Sequence, residues 1–397
     1  MSYEGKAPEV KRQPLRVEDQ QTGGEELLSP EEQVVLALGT ETTPVNEKLR
    51  TDRRQLFEAM KLVFSDDDTT VEQGLELLMR TEITIKNTTY RVTDVIGRGA
   101  FGFVVEVEPI KTPGVKAALK LSQPFDRKAQ YLQPGSDPED LVDYPERARA
   151  EHTRGYIREV AALKKIDALH HPSAYPSYYD AQFIPNPDQP DRHKPGEPDE
   201  RIGALLMERI DGDNLHDLLT DGLRDAPDVL LDLAEQFAKA IALTHQAGFV
   251  HRDIKPANAM VDSSGLRMLD LGLVAMLEPK SGKTATYQTA VESVDVGTTD
   301  YMLETEADPL SPQRDVYQLG RTFQQLFVGK DYNQALAINA AVVRAGDPLM
   351  QEFGQLFYKM IKTDPQDRPT IQQVVVELDR LQSELKQRTI RTQIAAS

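Results

Sequence analysis

The chain has no cysteine. That single absence removes disulfides, thiolate metal sites and cysteine nucleophiles, and it fits a reducing compartment. Also missing is any apolar run near the roughly 18 residues that a membrane-spanning helix needs. The opening, MSYEGKAPEVKRQP, lacks the apolar core of a signal peptide. The expected setting is therefore the cytoplasm, with no membrane insertion. Positive charge is in short supply: 46 Lys and Arg against 64 Asp and Glu leave a net charge of −18. Binding to nucleic acid or to an anionic membrane by bulk charge is disfavoured. A phosphate ligand would have to be held by local groups.

What is present fits a globular chain. Hydrophobic residues make up 39% and charged residues 28% of 397, enough to bury a sizeable core, while 25 prolines point to irregular insertions. Residues 1–28 are polar and aperiodic and are expected to form a flexible tail. Ser29-Pro30-Glu31-Glu32 then supplies an N-cap, a proline at the first helical position and a glutamate three residues after the cap, so a helix through Val34, Val35 and Leu38 should follow. Leu49, Leu56, Phe57, Met60 and Val63 recur at helical spacing, and Thr69 to Arg80 reads as another helix. Residues 29–81 thus form a helical segment ahead of the main domain, available to dock a partner or to cover its neighbour.

From Glu82 the period changes to two. Ile83, Ile85, Tyr90, Val92 and Val95 mark strands, and Phe103 to Glu106 and Val115 to Leu121 flank a turn at Pro113-Gly114. A helix is expected from Arg147 to Leu169. Ile184 to Glu200, with five prolines in 17 residues, reads as a surface insertion. Past residue 214 almost everything has helical spacing. A sheet-rich part followed by a helix-rich part predicts two lobes of α+β class.

The chemistry starts at Gly97-Arg98-Gly99-Ala100-Phe101-Gly102-Phe103-Val104, a G-x-G-x-x-G-x-V run between two strands. A dinucleotide fold would open a helix at those glycines; a strand follows here, so the run reads as a hairpin whose bare backbone can approach phosphates. Ala117-Ala118-Leu119-Lys120 puts an ammonium among apolar neighbours, where it needs an anion, and a phosphate or a carboxylate would serve. Glu159 lies in the later helix and is either that carboxylate or an ordinary solvated one. His251-Arg252-Asp253-Ile254-Lys255-Pro256-Ala257-Asn258, followed by Asp270-Leu271-Gly272, crowds charged and amide groups that call for a shared ligand.

These pieces, in this order and spacing, together with Leu206-Met207-Glu208-Arg209, Gly297-Thr298, Asp315-Val316-Tyr317 and Asp364-Pro365-Gln366-Asp367-Arg368, resemble a eukaryotic-type (Hanks-type) Ser/Thr protein kinase. The resemblance runs from about residue 88 to 385. It implies a bilobal kinase domain over 82–388, with an N-lobe at 82–207, a C-lobe at 211–388 and a tail at 389–397. The implied activity is ATP-dependent transfer to protein hydroxyls.

The roles follow from the same resemblance. Asp253 would accept the proton of the substrate hydroxyl, and Lys255 would stabilise the transferred phosphoryl group. Asn258 and Asp270 would hold Mg²⁺. Lys120, paired with Glu159, would bind phosphates under Gly97, Gly99 and Gly102. Ile96, Val104, Ala118 and Met260 would enclose adenine beside the gatekeeper Met207, and the backbone from Glu208 to Ile210 would hydrogen-bond it. His251, Leu163 and Leu271 would pack between the lobes, and Asp315 would hold the backbone around Asp253.

Two departures from the family pattern stand out. The segment expected to read A-P-E is Met302-Leu303-Glu304-Thr305-Glu306, which gives Arg368 two candidate partners, Glu304 being favoured by spacing. Ala257 replaces a glutamate that often accompanies a preference for arginine in the substrate. Autophosphorylation is expected within residues 281–293, with Arg252 receiving the phosphate. Two other classes remain at this point: a nucleotide-binding scaffold without activity, and a small-molecule kinase. The latter usually lacks a lysine at the position of Lys255.

Overall fold

The computed structural model describes residues 47–65, 67–99, 102–122, 144–169, 174–188, 201–219, 223, 225–277, 301, 310–329 and 347–396. The expected helix after Ser29 lies outside these residues. The first element is helix α1 (Glu47–Val63), followed by α2 (Asp68–Met79). Asp67 caps α2, its carboxylate accepting the Thr70 N–H at 2.8 Å. The two helices cross closely at Gly74, where a Cβ would stand 2.6 Å from Val63 N.

Six strands then form one antiparallel sheet: β1 (Glu82–Ile85), β2 (Thr88–Gly99), β3 (Gly102–Pro109), β4 (Ala117–Ser122), β5 (Tyr178–Ile184) and β6 (Ile202–Glu208), in the spatial order β1-β2-β3-β4-β6-β5. Helix α3 (Tyr144–Ala168) enters between β4 and β5 in the chain. Strand alternation gives the sheet two apolar faces. Phe103, Val105, Leu119, Leu121 and Leu206 share a core with Leu56, Phe57, Met60 and Leu78 of the two leading helices. Ala118, Leu205 and Met207 point the other way, into the core that contains Tyr156, Val160 and Leu163 of α3. The helical segment before residue 82 is thus packed into the outer face of the sheet. Ile184, expected at the start of an exposed insertion, is instead the buried last residue of β5.

The second lobe is mostly helical, with α4 (Leu215–Leu218), α5 (Pro227–Gln246), α6 (Pro312–Val328), α7 (Pro348–Met360) and α8 (Ile371–Ala396). Phe237, Phe323, Phe353 and Phe357 fill its centre. The helical spacing past residue 214 concealed a set of short strands: β7 (Asp213–Asn214), β8 (Phe249–Val250), β9 (Ala259–Asp262), β10 (Gly265–Met268) and β11 (Ala275–Met276). They form two small ribbons, β10-β9-β7 and β11-β8. Two to four residues are too few to display a period of two. The whole is the bilobal α+β arrangement that the resemblance implied. Among the described residues no helix is long and apolar enough to cross a membrane.

Candidate functional site

The small ribbons frame the site. The segment His251 to Asn258 runs between β8 and β9, and Asp270-Leu271-Gly272 runs between β10 and β11. Pairing of Val250 with Ala275 and of Ala259 with Met268 brings the two segments side by side. Leu269 N–H donates to the Asn258 carbonyl at 3.0 Å, so the residues flanking Asp270 and Asn258 are tied through the backbone.

The first segment is held from below by α6. Ser311 caps that helix and Pro312 starts it, placing Asp315 in its first turn and fully buried. Asp315 Oδ2 accepts the His251 N–H at 2.7 Å and Oδ1 the Arg252 N–H at 2.8 Å, while His245 Nε2 lies 2.8 Å from Oδ2. Burial pushes the Asp315 carboxyl up in pKa, but His245 and these donors outweigh it and hold it below its usual value. Gln318 completes the clamp, its side chain donating to the Arg252 carbonyl at 2.8 Å and accepting the Ile254 N–H at 3.1 Å. Arg252 has φ +72°, a left-handed conformation that a non-glycine residue adopts at a cost. The clamp from Asp315 and Gln318 on both sides sustains it.

That twist sets up Asp253. Its Oδ2 accepts from Lys255 Nζ at 2.8 Å and from Asn258 Nδ2 at 2.7 Å, and Asn258 Nδ2 also bonds the Asp253 carbonyl at 2.8 Å. Asp253, Lys255 and Asn258 therefore act as one hydrogen-bonded unit. His251 is buried beside them, and burial holds its pKa below the usual value, so the ring stays neutral. Leu163 and Leu271 are buried in the core shared with α3, as the resemblance implied.

Lys120 joins the two lobes. From β4 its Nζ reaches Glu159 Oε1 of α3 at 2.6 Å and Asp270 Oδ1 at 2.8 Å. Burial alone would lower the pKa of this ammonium, but the Asp270 and Glu159 carboxylates raise it, so it remains charged. Asp270 is pushed up by its surroundings and pulled down further by Lys120, to about 2. Glu159 is raised, because burial outweighs the pull of Lys120. The Asp270 side chain keeps 41% exposure against 8% for Glu159, so Asp270 is the carboxylate still open to a ligand. The Lys120 and Gly272 hydrogen bonds both end on its Oδ1, leaving Oδ2 for that ligand.

The donor set suits magnesium: an amide oxygen on Asn258 and a carboxylate oxygen on Asp270, both hard ligands. Among the described residues no three His, Cys, Asp or Glu side chains come together as a metal cage.

Above this cluster, β2 and β3 form the glycine-rich hairpin, with Gly99 paired to Gly102; Ala100 and Phe101 lie outside the described residues. Gly102 is required by packing, since a Cβ there would stand 2.3 Å from the Leu121 carbonyl oxygen. Gly97 has room for one, 3.4 Å from Val104 Cβ, so the fold does not itself demand glycine there. A register shift between Val95 and Gly97 turns Ile96 outward, 42% exposed.

Sequence reasoning missed the anchoring of the segment after β6. Glu208 Oε2 accepts from Arg267 Nη2 at 2.6 Å and from the Ser177 N–H at 3.0 Å, and the Glu208 N–H donates to the Ser177 carbonyl at 2.9 Å. The next residue, Arg209, places Nε 2.7 Å from Glu106 Oε2 of β3. Glu106 is buried and also meets Lys116 at 2.7 Å and the Thr93 hydroxyl at 2.9 Å. A glutamate at the fifth position of a valine-rich strand was the one signal that could have prompted a search for its cations. Met260 sits on β9 opposite Asn214, and Ala118 and Met207 pair across β4 and β6.

Several expected features fall outside the described residues: Thr298, the hydroxyls from Ser281 to Ser293, and the choice between Glu304 and Glu306 as partner of Arg368. Arg368 itself donates to the carbonyls of Lys362 at 2.7 Å and Gln313 at 2.8 Å and lies over the Tyr317 ring.

A large part of the chain matches a known protein family. The sequence pattern of the protein kinase domain matches residues 145–377, more than half of the chain. Lys120 and the glycine-rich hairpin precede the matched span. A probable serine/threonine-protein kinase of Streptomyces coelicolor is 34% identical over 128 residues, which are 32% of this chain and 18% of that protein. The serine/threonine-protein kinases PknB of Mycolicibacterium smegmatis and Mycobacterium leprae are 28% identical over 179 residues and 29% over 182, each covering 44% of this chain and 26% of the relative. The chain therefore matches about a quarter or less of the length of these relatives.

Proposed function

The chain belongs to the protein kinase family, in its Ser/Thr class, and from that premise we propose that it transfers the γ-phosphoryl group of Mg·ATP to Ser or Thr hydroxyls of a protein substrate in the cytoplasm. The observation that carries the reading is the position of Lys120 Nζ, within 2.8 Å of carboxylates from both lobes and beside the hydrogen-bonded Asp253, Lys255 and Asn258. Nothing in packing alone calls for five charged side chains and an amide at one cleft.

In this reading Lys120, oriented by Glu159, binds the α- and β-phosphates under Gly97, Gly99 and Gly102. Ile96, Val104, Ala118 and Met260 enclose the base, and the backbone from Glu208 to Ile210 hydrogen-bonds it. Because the Glu208 N–H is already used by Ser177, the Ile210 N–H is the donor assigned to adenine. Mg²⁺ bound to Asn258 and Asp270 would supply charge neutralisation on the phosphates. Asp253 accepts the proton of the attacking hydroxyl on a carboxylate oxygen, and Lys255, held against it, stands ready to meet charge on the moving phosphoryl group. The reading includes autophosphorylation within residues 281–293, with Arg252 receiving the phosphate.

The test is phosphoryl transfer from labelled ATP with Mg²⁺ to a generic basic protein and to the chain itself, followed by mass spectrometry. Transfer in the wild type, phosphate in the 281–293 window and loss of both in Asp253→Ala are expected. A wild type that binds ATP and transfers nothing would instead make the chain a nucleotide-dependent scaffold.

A further inference from the structure

The glycine-rich hairpin is backed by the leading helices, and a pair of rings is among the contacts between them. We infer that Phe64, the residue after α1, is a positioning residue for nucleotide binding, so that α1 and α2 serve the ATP site; this rests on the kinase reading above. Phe103 follows Gly102 directly and is 1% exposed on the outer face of the sheet. The Phe64 ring meets it at 5.2 Å and 82°, an edge-to-face contact. The Arg98 guanidinium also lies 5.7 Å from the centre of the Phe103 ring. Arg98 is paired to Phe103 across the hairpin and stands between Gly97 and Gly99. A stack of three side chains thus runs from the end of α1 to the glycine turn.

The stack acts on the cleft because neighbouring strand residues point to opposite faces. Val104 faces the lobe-joining core while Phe103 faces the helices, so the depth at which Phe103 seats behind the sheet sets the height of Val104 in front. Gly102 leaves no room for a side chain, since an added Cβ would stand 2.3 Å from the Leu121 carbonyl oxygen, so this end of β3 lies close against β4. A hairpin with three glycines has wide conformational freedom to lose when it closes on a ligand. Support from Phe64 narrows that freedom beforehand.

The experiment uses the full chain and three variants, Phe64→Leu, Phe103→Leu and the double, with Val107→Ala as control. Val107 lies on the same strand and in the same core as Phe103, but at the far end from the glycines. Calorimetric binding of Mg·ADP, KM for ATP, kcat at saturating ATP and thermal unfolding are measured for each. Loss of one edge-to-face contact is expected to weaken Mg·ADP and raise KM for ATP about fivefold, with kcat within about twofold of wild type. The double variant should be no weaker than Phe103→Leu, because the contact that Phe64→Leu removes is already lost there. Val107→Ala should lower the unfolding temperature and leave KM alone. Unchanged nucleotide affinity in a folded Phe64→Leu protein, or a double variant equal to the product of the singles, overturns the inference. Should Phe64→Leu not fold, Phe64→Met, whose unbranched chain adapts to an irregular gap and carries no ring, is read the same way. A wild type that binds no Mg·ADP overturns the kinase reading itself, an outcome distinct from variants that bind as well as wild type.

Discussion

Glu208 and Arg209 are neighbours in the chain and are anchored in opposite lobes. Glu208 is held by Arg267 of β10, and Arg209 by Glu106 of β3. The peptide between them is therefore fixed from both sides, just before Ile210, the residue proposed to donate to adenine.

The two anchors differ in burial and should differ in energy. Arg267 is buried, and its guanidinium also meets Asp262 and the Tyr175 carbonyl. Arg267→Met takes the buried guanidinium away from Glu208, Asp262 and the Tyr175 carbonyl at once and should destabilise the fold by about 3 kcal/mol in urea unfolding. Arg209 is partly exposed and Glu106 keeps Lys116 and Thr93 without it, so Arg209→Ala should cost about 1 kcal/mol or less. Equal losses would mean that the hinge is not anchored as described.

Asp315 bears on rate more than on affinity. It holds the backbone N–H groups of His251 and Arg252, and through them the direction of Asp253, without approaching the expected nucleotide position. Asp315→Asn keeps the size but loses one acceptor oxygen, and should lower kcat about 100-fold while KM for ATP changes little. Steady-state kinetics separate the two parameters. A variant that raises KM and spares kcat would contradict this placement.

The buried His251 gives the fold a signature in pH. Its folded pKa is depressed by burial relative to the unfolded value near 6.5, so its contribution to stability is present above that value. As pH falls below 6.5 the unfolded chain gains a proton that the folded ring resists, and stability drops. The urea midpoint should fall between pH 6.5 and 5, and part of that fall should vanish in His251→Gln. Identical pH profiles in the two proteins would mean that the ring titrates freely in the fold.

What could be read from the sequence is what repeats or clusters locally. Asp253, Lys255 and Asn258 lie within six residues, and their types already demanded a common purpose. The sheet announced itself through alternation from Ile83 onward. Lys120 stood out as a charge in an apolar strand, although its partners, 39 and 150 residues away, could be named only through the family likeness. The contacts of Phe64 with Phe103 and Arg267 with Glu208 had no such signal. Each residue is ordinary in its own segment, and its meaning comes from a partner that only the folded chain brings near. The short strands β7 to β11 were hidden for a different reason, because tertiary pairing determines such brief segments more than their own pattern does.

The central claim is that Lys120 serves the nucleotide and Asp253 the acceptor hydroxyl. The measurement that tests it most directly is calorimetric binding of Mg·ATP to wild type, Lys120→Met and Asp253→Ala, with phosphoryl transfer assayed on the same samples. The account predicts that both variants lose transfer. Nucleotide affinity should fall about tenfold or more in Lys120→Met, where a charge-assisted contact to phosphate is removed, and stay within about threefold of wild type in Asp253→Ala, whose side chain faces the acceptor. Transfer that survives in either variant, or equal loss of nucleotide affinity in both, would contradict it.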